Sequence, residues 1–269
     1  VIKKANGSGI FVRYHVPEHM GRACSNAEAV HQLPRQFRAS VGFPALSSVI
    51  FACLVRMSAV SAQFLPLPEL PYRFEELEPD FSGMDVRRHY YEVFGHHVER
   101  FNAFLKQLQH TSAYRKVLKH GGIDNLFRRI NEVPAALHRR LRYHGGGYVN
   151  HELFFRLLRP RSSGAMGDGG NVPDGLLLTA IEHCFKSFAV FRNEFGDRAR
   201  QFQGAGWVWL VVDTSTERVA EASFDLHIVE SDVNDHPLLL SPSYVPLLCV
   251  DVWEHAYFAQ FYNDRQRYL

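Results

Sequence analysis

Asp251-Val252-Trp253-Glu254-His255-Ala256-Tyr257, near the C-terminus, is the run whose reading decides the fold. An Asp and a His four residues apart, with an indole between them, can bind one metal ion from a single strand-to-helix corner. Carboxylate oxygen together with imidazole nitrogen suits manganese or iron better than a purely structural zinc site. The apolar run before it, Val245 to Val250, reads as a strand that ends in Asp251. The other ligands of such a centre have to come from upstream.

The pattern D-x-W-E-H-A-Y strongly resembles the signature of the iron/manganese superoxide dismutase family, and three further segments carry the same resemblance. Asn150-His151-Glu152-Leu153-Phe154-Phe155, preceded by Gly145-Gly146-Gly147-Tyr148-Val149, is similar to the family's G-G-x-x-N-H-x-x-F run. Leu67-Pro68-Glu69-Leu70-Pro71-Tyr72 and Leu77-Glu78-Pro79 are similar to its opening, after which the first helix supplies a ligand. His89 occupies that position, and Asn102 falls where the family places an Asn on the same helix. The resemblance implies one manganese or iron ion per subunit held by His89, His151, Asp251 and His255, with solvent as a fifth ligand. It implies superoxide as the substrate, dismuted to hydrogen peroxide and dioxygen by a one-electron cycle of the metal. Any one of the 15 histidines is more often a surface or core residue. Four candidates inside three separate family motifs reverse that prior.

Groups around the ligands orient them and tune the metal. Gly204-Ala205-Gly206-Trp207-Val208-Trp209-Leu210 resembles the family strand whose first Trp walls the site. Trp253 is the second implied wall, although a buried Trp is in general more often core. Glu254 matches the residue that crosses a dimer to the other subunit's metal-bound His, so the resemblance implies a homodimer or a heterodimer with a related subunit. Tyr257 closes the motif beside these groups, and Arg265 matches an Arg at the mouth of the substrate funnel.

Four positions depart from the family pattern. Its gateway His falls on Val93, its active-site Tyr on His97, and the second Tyr of its H-A-Y-Y on Phe258. Changing Val93 and Phe258 together leaves no buried polar orphan and permits an apolar repacking. The amide that contacts metal-bound solvent falls on Asn234, one methylene shorter than the usual Gln, while Gly147 is small as in the manganese-type arrangement. His97 can replace the Tyr, since a neutral imidazole both donates and accepts near its unperturbed pKa of about 6.5. The expectation is a metal-bearing protein with an altered proton relay and reduced activity.

A chain of 269 residues with 46% hydrophobic content can bury a substantial core. The expected class is α+β: an N-terminal helical hairpin domain over 67–160, a Gly/Ser-rich linker over 161–173, and a C-terminal α/β domain over 174–269 with a three-stranded antiparallel sheet. Helices are expected over Asp85 to Leu108, Pro134 to Leu158 and Phe185 to Phe195, and strands over Gly206 to Asp213, Val219 to Val229 and Val245 to Val250. The family continues past Arg265-Gln266-Arg267-Tyr268 into a final helix, which either lies outside this sequence or is absent from the protein.

Net charge is only +2, but Lys and Arg outnumber Asp and Glu by 7 to 2 over 1–64 and by 12 to 3 over 106–161. The acid-poor extension 1–66 has the composition of an organelle transit peptide, which points to the mitochondrion. A secretory segment ending at Ser58-Ala59-Val60-Ser61-Ala62 is the competing reading, weakened by Arg56. Its apolar stretch, Val41 to Val55, is too short for a membrane span. Cys24, Cys53, Cys184 and Cys249 have neither C-x-x-C nor zinc spacing, which fits a disulfide-independent compartment. The basic middle is the footprint expected for a phosphate backbone, or a funnel for a small anion. The resemblance also implies an alternative, since the family's fold is used as a structural subunit of the mitochondrial ribosome for rRNA and ribosomal-protein contacts. The altered relay, the basic middle, the extension and the missing final helix fit that reading.

Overall fold

The computed structural model describes residues 65–118, 122–160, 173–216 and 224–269. The expectations for 1–64, for the linker over 161–172 and for the start of the second strand lie outside these residues.

Two long helices form the first half. Gly83–Arg88, a π turn over His89–Phe94, and Gly95–Leu108 run on without a break as helix α1. Ser112–Val117 (α2) and Asp124–Arg128 (α3) connect it to a second rod. That rod, α4, joins Ala135–Arg140, a π turn over Leu141–Gly145, and Gly146–Leu157. Pro134 at its N-cap supplies a fixed φ where no amide donor is required. Phe94, Phe101, Phe104, Leu108, Leu141 and Phe155 are all fully buried in the seam between the two rods. Asn102 latches the segment before α1: its side chain accepts from Leu65 N at 2.8 Å and donates to Leu65 O at 2.9 Å.

The second half opens with α5 (Gly175–Phe185) and α6 (Phe188–Gln201). The aromatic run expected as one helix from Phe185 is therefore divided. Lys186 turns to φ 70°, and Ser187 caps α6 by accepting from Val190 N. Strands β1 (Gly206–Asp213), β2 (Asp225–Asp232) and β3 (Tyr244–Asp251) form an antiparallel sheet in the order β2-β1-β3. β2 runs three residues beyond its expected end at Val229, because Gly206, Trp207 and Val208 of β1 still pair with Asp232, Ser231 and Glu230. The short helices α7 (Phe258–Phe261) and α8 (Arg265–Tyr268) follow.

Central strand β1 is buried on both faces, which explains its unbroken apolar sequence. Strand alternation divides its side chains. Trp207, Trp209 and Val211 enter the core shared with α1 and α4, whereas Leu210 and Val212 meet α5 and α6. Trp207 and Trp209 are the largest side chains with no exposure, and each keeps an indole N–H partner, Asn234 and Ser231 respectively. The register sets Trp207 opposite Asp251, so the sheet carries both to the hairpin side. No helix among the described residues is long and apolar enough to cross a membrane.

A candidate metal centre

Four side chains from four places meet between the halves: His89 from α1, His151 from α4, Asp251 from the end of β3, and His255 from the turn beyond it. One donor atom from each lies within 4.8 Å of all the others. Nε2 of His255, His89 and His151 stand 3.0, 3.3 and 3.6 Å from the same oxygen, Asp251 Oδ2. The other oxygen is committed, since Asp251 Oδ1 accepts from Trp253 N at 2.9 Å.

Tautomer and orientation follow from the second ring nitrogen. His151 Nδ1 lies 2.7 Å from Gly147 O, so the proton belongs on Nδ1 and the Nε2 lone pair faces inward. His151 and Asp251 have no exposure and His89 is 6% exposed, yet His89 Nε2 and His151 Nε2 have no hydrogen-bond partner in the protein. Buried polar atoms are ordinarily satisfied. Two orphaned lone pairs around a carboxylate oxygen fit a cation, and three imidazoles with one carboxylate are a donor set for manganese or iron.

The electrostatics agree. Burial pushes the Asp251 carboxyl up, but the charge and hydrogen bond of His255 and the close approach of His89 outweigh it and hold the group well below the usual carboxylate range. Burial drives His89 and His151 down, each aided by a neighbouring imidazole. An ionised Asp251 beside neutral His89 and His151 is the protonation state a metal requires of them.

Aromatic rings wall the centre. Trp207 meets His151 edge-on at 5.0 Å, and Trp253 stacks on His255 at 5.4 Å. Phe154 and Phe155 lie 5.5 and 5.0 Å from His89. Asn234 ties the wall together: Oδ1 accepts from Trp207 Nε1 at 3.1 Å, Nδ2 donates to Tyr143 O at 3.2 Å, and its carbonyl accepts from Asn150 Nδ2 at 3.2 Å.

A cleft of about 220 Å³ leads in from solvent, lined by Glu92, Val93, His96, His97, Tyr143, Asn234, Trp253 and His255. His97 is buried and stacks on His151 at 5.4 Å. Burial, with His144 and His96 nearby, pushes its pKa down to about 3. Its ring lies flat on Gly147, where a Cβ would come within 2.4 Å of Nδ1. That approach leaves no room for a side chain at 147, and among the described residues the side-chain amide that lines the cleft is that of Asn234.

The remaining expected residues fall elsewhere. Arg265 does not line the cleft of this chain. Its guanidinium donates to the carbonyls of Phe202, Gly204 and Val252, and its Nε to Tyr257 OH at 3.3 Å, so it clamps the C-terminal turn to the strand entry. Buried Tyr257 stacks on Tyr268 behind the corner. Glu254 is exposed and Phe258 is 50% exposed, contacting Tyr262. Residue-by-residue reading did not single out His96, Tyr143 and His144. The adjacent pairs His96-His97 and Tyr143-His144, each beside a ligand segment, were the available signal.

The sequence model described as iron/manganese superoxide dismutases, alpha-hairpin domain, matches residues 64–159, and that of the C-terminal domain matches 173–269. Manganese superoxide dismutase 1 of Leptolyngbya boryana is 33% identical over 210 residues, 78% of this chain and 76% of that protein. The manganese superoxide dismutase of Listeria monocytogenes is 35% identical over 203 residues, 76% of this chain and 88% of its own length. The mitochondrial manganese superoxide dismutase 3.1 of Zea mays is 35% identical over 213 residues, covering 79% and 80%.

Proposed function

The chain belongs to the iron/manganese superoxide dismutase family, and from that premise we propose that it dismutes superoxide at the centre formed by His89, His151, Asp251 and His255. The observation that carries this reading is the convergence of three imidazole Nε2 atoms on Asp251 Oδ2, two of them buried without a protein partner. One manganese or iron ion per subunit, held by these four side chains, supplies the one-electron cycle. Two superoxide anions and two protons give one hydrogen peroxide and one dioxygen.

The protein's own groups exclude water, set orientation and supply protons. Trp207, Trp253, Phe154 and Phe155 keep bulk solvent from the donors, which strengthens every charge interaction inside. Asn234 fixes Trp207 and Tyr143 and is the amide nearest the cleft's inner end. His97 takes the proton-carrying position in the wall. Burial keeps its ring neutral at ordinary pH, so in this reading it relays protons without holding a charge. With Val93 apolar and Asn234 short, this relay differs from the usual family pattern and slows turnover. Gly147, pressed against His97, supports the manganese-type arrangement of the amide.

The exposed Glu254 and Phe258 belong, in this reading, to a contact with a second subunit. On the likeness to the maize protein named as mitochondrial, the protein is assigned to mitochondria, which organelle fractionation tests. The alternative of a structural ribosomal subunit gains nothing from the centre, because a scaffold needs no converging donors. Metal analysis separates the two: the wild type is expected to hold close to one manganese or iron per chain and Asp251→Asn to lose it. A wild type without stoichiometric metal when purified from metal-supplemented cells would remove the enzyme reading.

A further inference from the structure

Outside the metal centre, one group of side chains is left without counter-charge. α1 and α4 run antiparallel along the cleft's outer lip, and two contacts fix their register. His96 meets His144 at 5.7 Å between rings, and further along Arg140 donates to Gln107 Oε1. Arg100 lies one turn beyond His96, and Arg140 one turn before His144. Both arginines therefore flank the His96–His144 contact from the same side.

Among the described residues, neither Arg100 nor Arg140 makes an ion pair, and His144 Nδ1 is buried with no hydrogen-bond partner. The neighbouring acids do not compensate. Glu92 precedes His96 by a turn and Glu99 adjoins Arg100, but neither pairs with any member of the group. Two other cations of α4 are neutralised, Arg142 by Asp235 and Arg156 by Glu152. Burial holds His144 below its ordinary pKa, and the charges of His96, Arg100 and Arg140 add to the effect without any opposing carboxylate. A cation would be repelled from such a place. A compact anion with several acceptor oxygens would satisfy all four side chains.

We propose that Arg100, Arg140, His96 and His144 form a binding subsite for a small tetrahedral oxyanion of the phosphate class at the outer lip of the cleft. Guanidinium groups match such an anion by paired hydrogen bonds, and the His144 Nδ1 orphan gains a partner. His96 also lines the cleft. An anion held there places negative charge on the entry path and slows the arrival of a second anion at the centre. The subsite stands on its own geometry and does not require the centre to turn over.

Calorimetric titration of the metal-loaded protein with inorganic phosphate, at fixed ionic strength set with chloride, tests this. One saturable site per chain is expected, weakened about tenfold by Arg100→Gln and again by Arg140→Gln, the size of losing a charge-assisted hydrogen bond. Arg139→Gln removes equal charge next in sequence to Arg140 and is expected to leave affinity within about twofold. Thermal melts confirm that the variants are folded. Absence of saturable binding in the wild type overturns the proposal. So does equal weakening by Arg139→Gln, since net charge would then account for the effect.

Discussion

Val233 sits at φ 55°, a left-handed conformation that a β-branched side chain adopts only under strain. Its backbone explains why the strain persists. The N–H donates to Ala205 O at 2.8 Å, and the carbonyl accepts from the Trp253 indole N–H at 2.8 Å, so it positions a wall of the centre. Its side chain is 42% exposed and contributes little packing. Val233→Asn keeps both backbone bonds and relieves the strain. It is expected to stabilise the protein by about 1 kcal/mol, raising the melting temperature by roughly 2–4 °C.

His97 gives a prediction of opposite sign. Its folded pKa, about 3, lies below the unfolded value of about 6.5, so on acidification the unfolded chain takes the proton first. The stability associated with the neutral ring is complete above pH 6.5 and is lost as pH falls from 6.5 towards 3. At pH 5 the loss is about 2 kcal/mol. In denaturant titrations of metal-depleted protein, His97→Phe should flatten the pH dependence over this window. An unchanged slope would mean that His97 is not held neutral.

At the scale of elements, the two π turns decide which side chains face the centre. In a regular α-helix, residues eight apart differ by about 80° around the axis. The π turn over His89–Phe94 takes up one extra residue and brings His89 and His97 nearly onto one face. The second turn ends at Gly145, where α4 crosses the turn at Asn234 that follows β2. A Cβ on Gly146 would lie 1.8 Å from the backbone oxygen of Asn234, while on Gly145 it would meet only side chains, at 2.9 Å. Gly146→Ala is therefore expected to cost about 3 kcal/mol or more, and Gly145→Ala about 1 kcal/mol. Urea unfolding of the pair measures the difference, and equal losses would refute the close approach.

Much of this was legible in advance for physical reasons. β1 shows as an unbroken apolar run because it is buried on both faces, and its bounds were read to the residue. The segments bearing His89, His151, Asp251 and His255 were recognised because short motifs hold each donor next to distinctive Gly, Asn and Trp neighbours. The break at Lys186 was hidden, since a single left-handed residue leaves the aromatic spacing of Phe185 to Phe195 undisturbed. The π turns were hidden too, because a π turn has no apolar period of its own. The clamp made by Arg265 depends on the carbonyls of Phe202, Gly204 and Val252, contacts that no local pattern encodes.

For the whole molecule, the four donors span both halves, so a bound ion crosslinks the helical hairpin to the sheet domain. A ligand that binds only the folded state stabilises it by mass action. Removing the metal by chelation is therefore expected to lower the melting temperature of both halves together, and Asp251→Asn to abolish that shift. Two separate transitions in the metal-loaded protein would argue against the crosslink.

Val93, His97 and Asn234 line the cleft, and turnover is the central question. The direct measurement is superoxide dismutation per bound metal ion, by pulse radiolysis, on purified protein with its manganese or iron content determined. The expected result is catalysis well above that of the free ion, lost in Asp251→Asn and increased in His97→Tyr. A fully metal-loaded protein that removes superoxide no faster than the free ion would contradict the account.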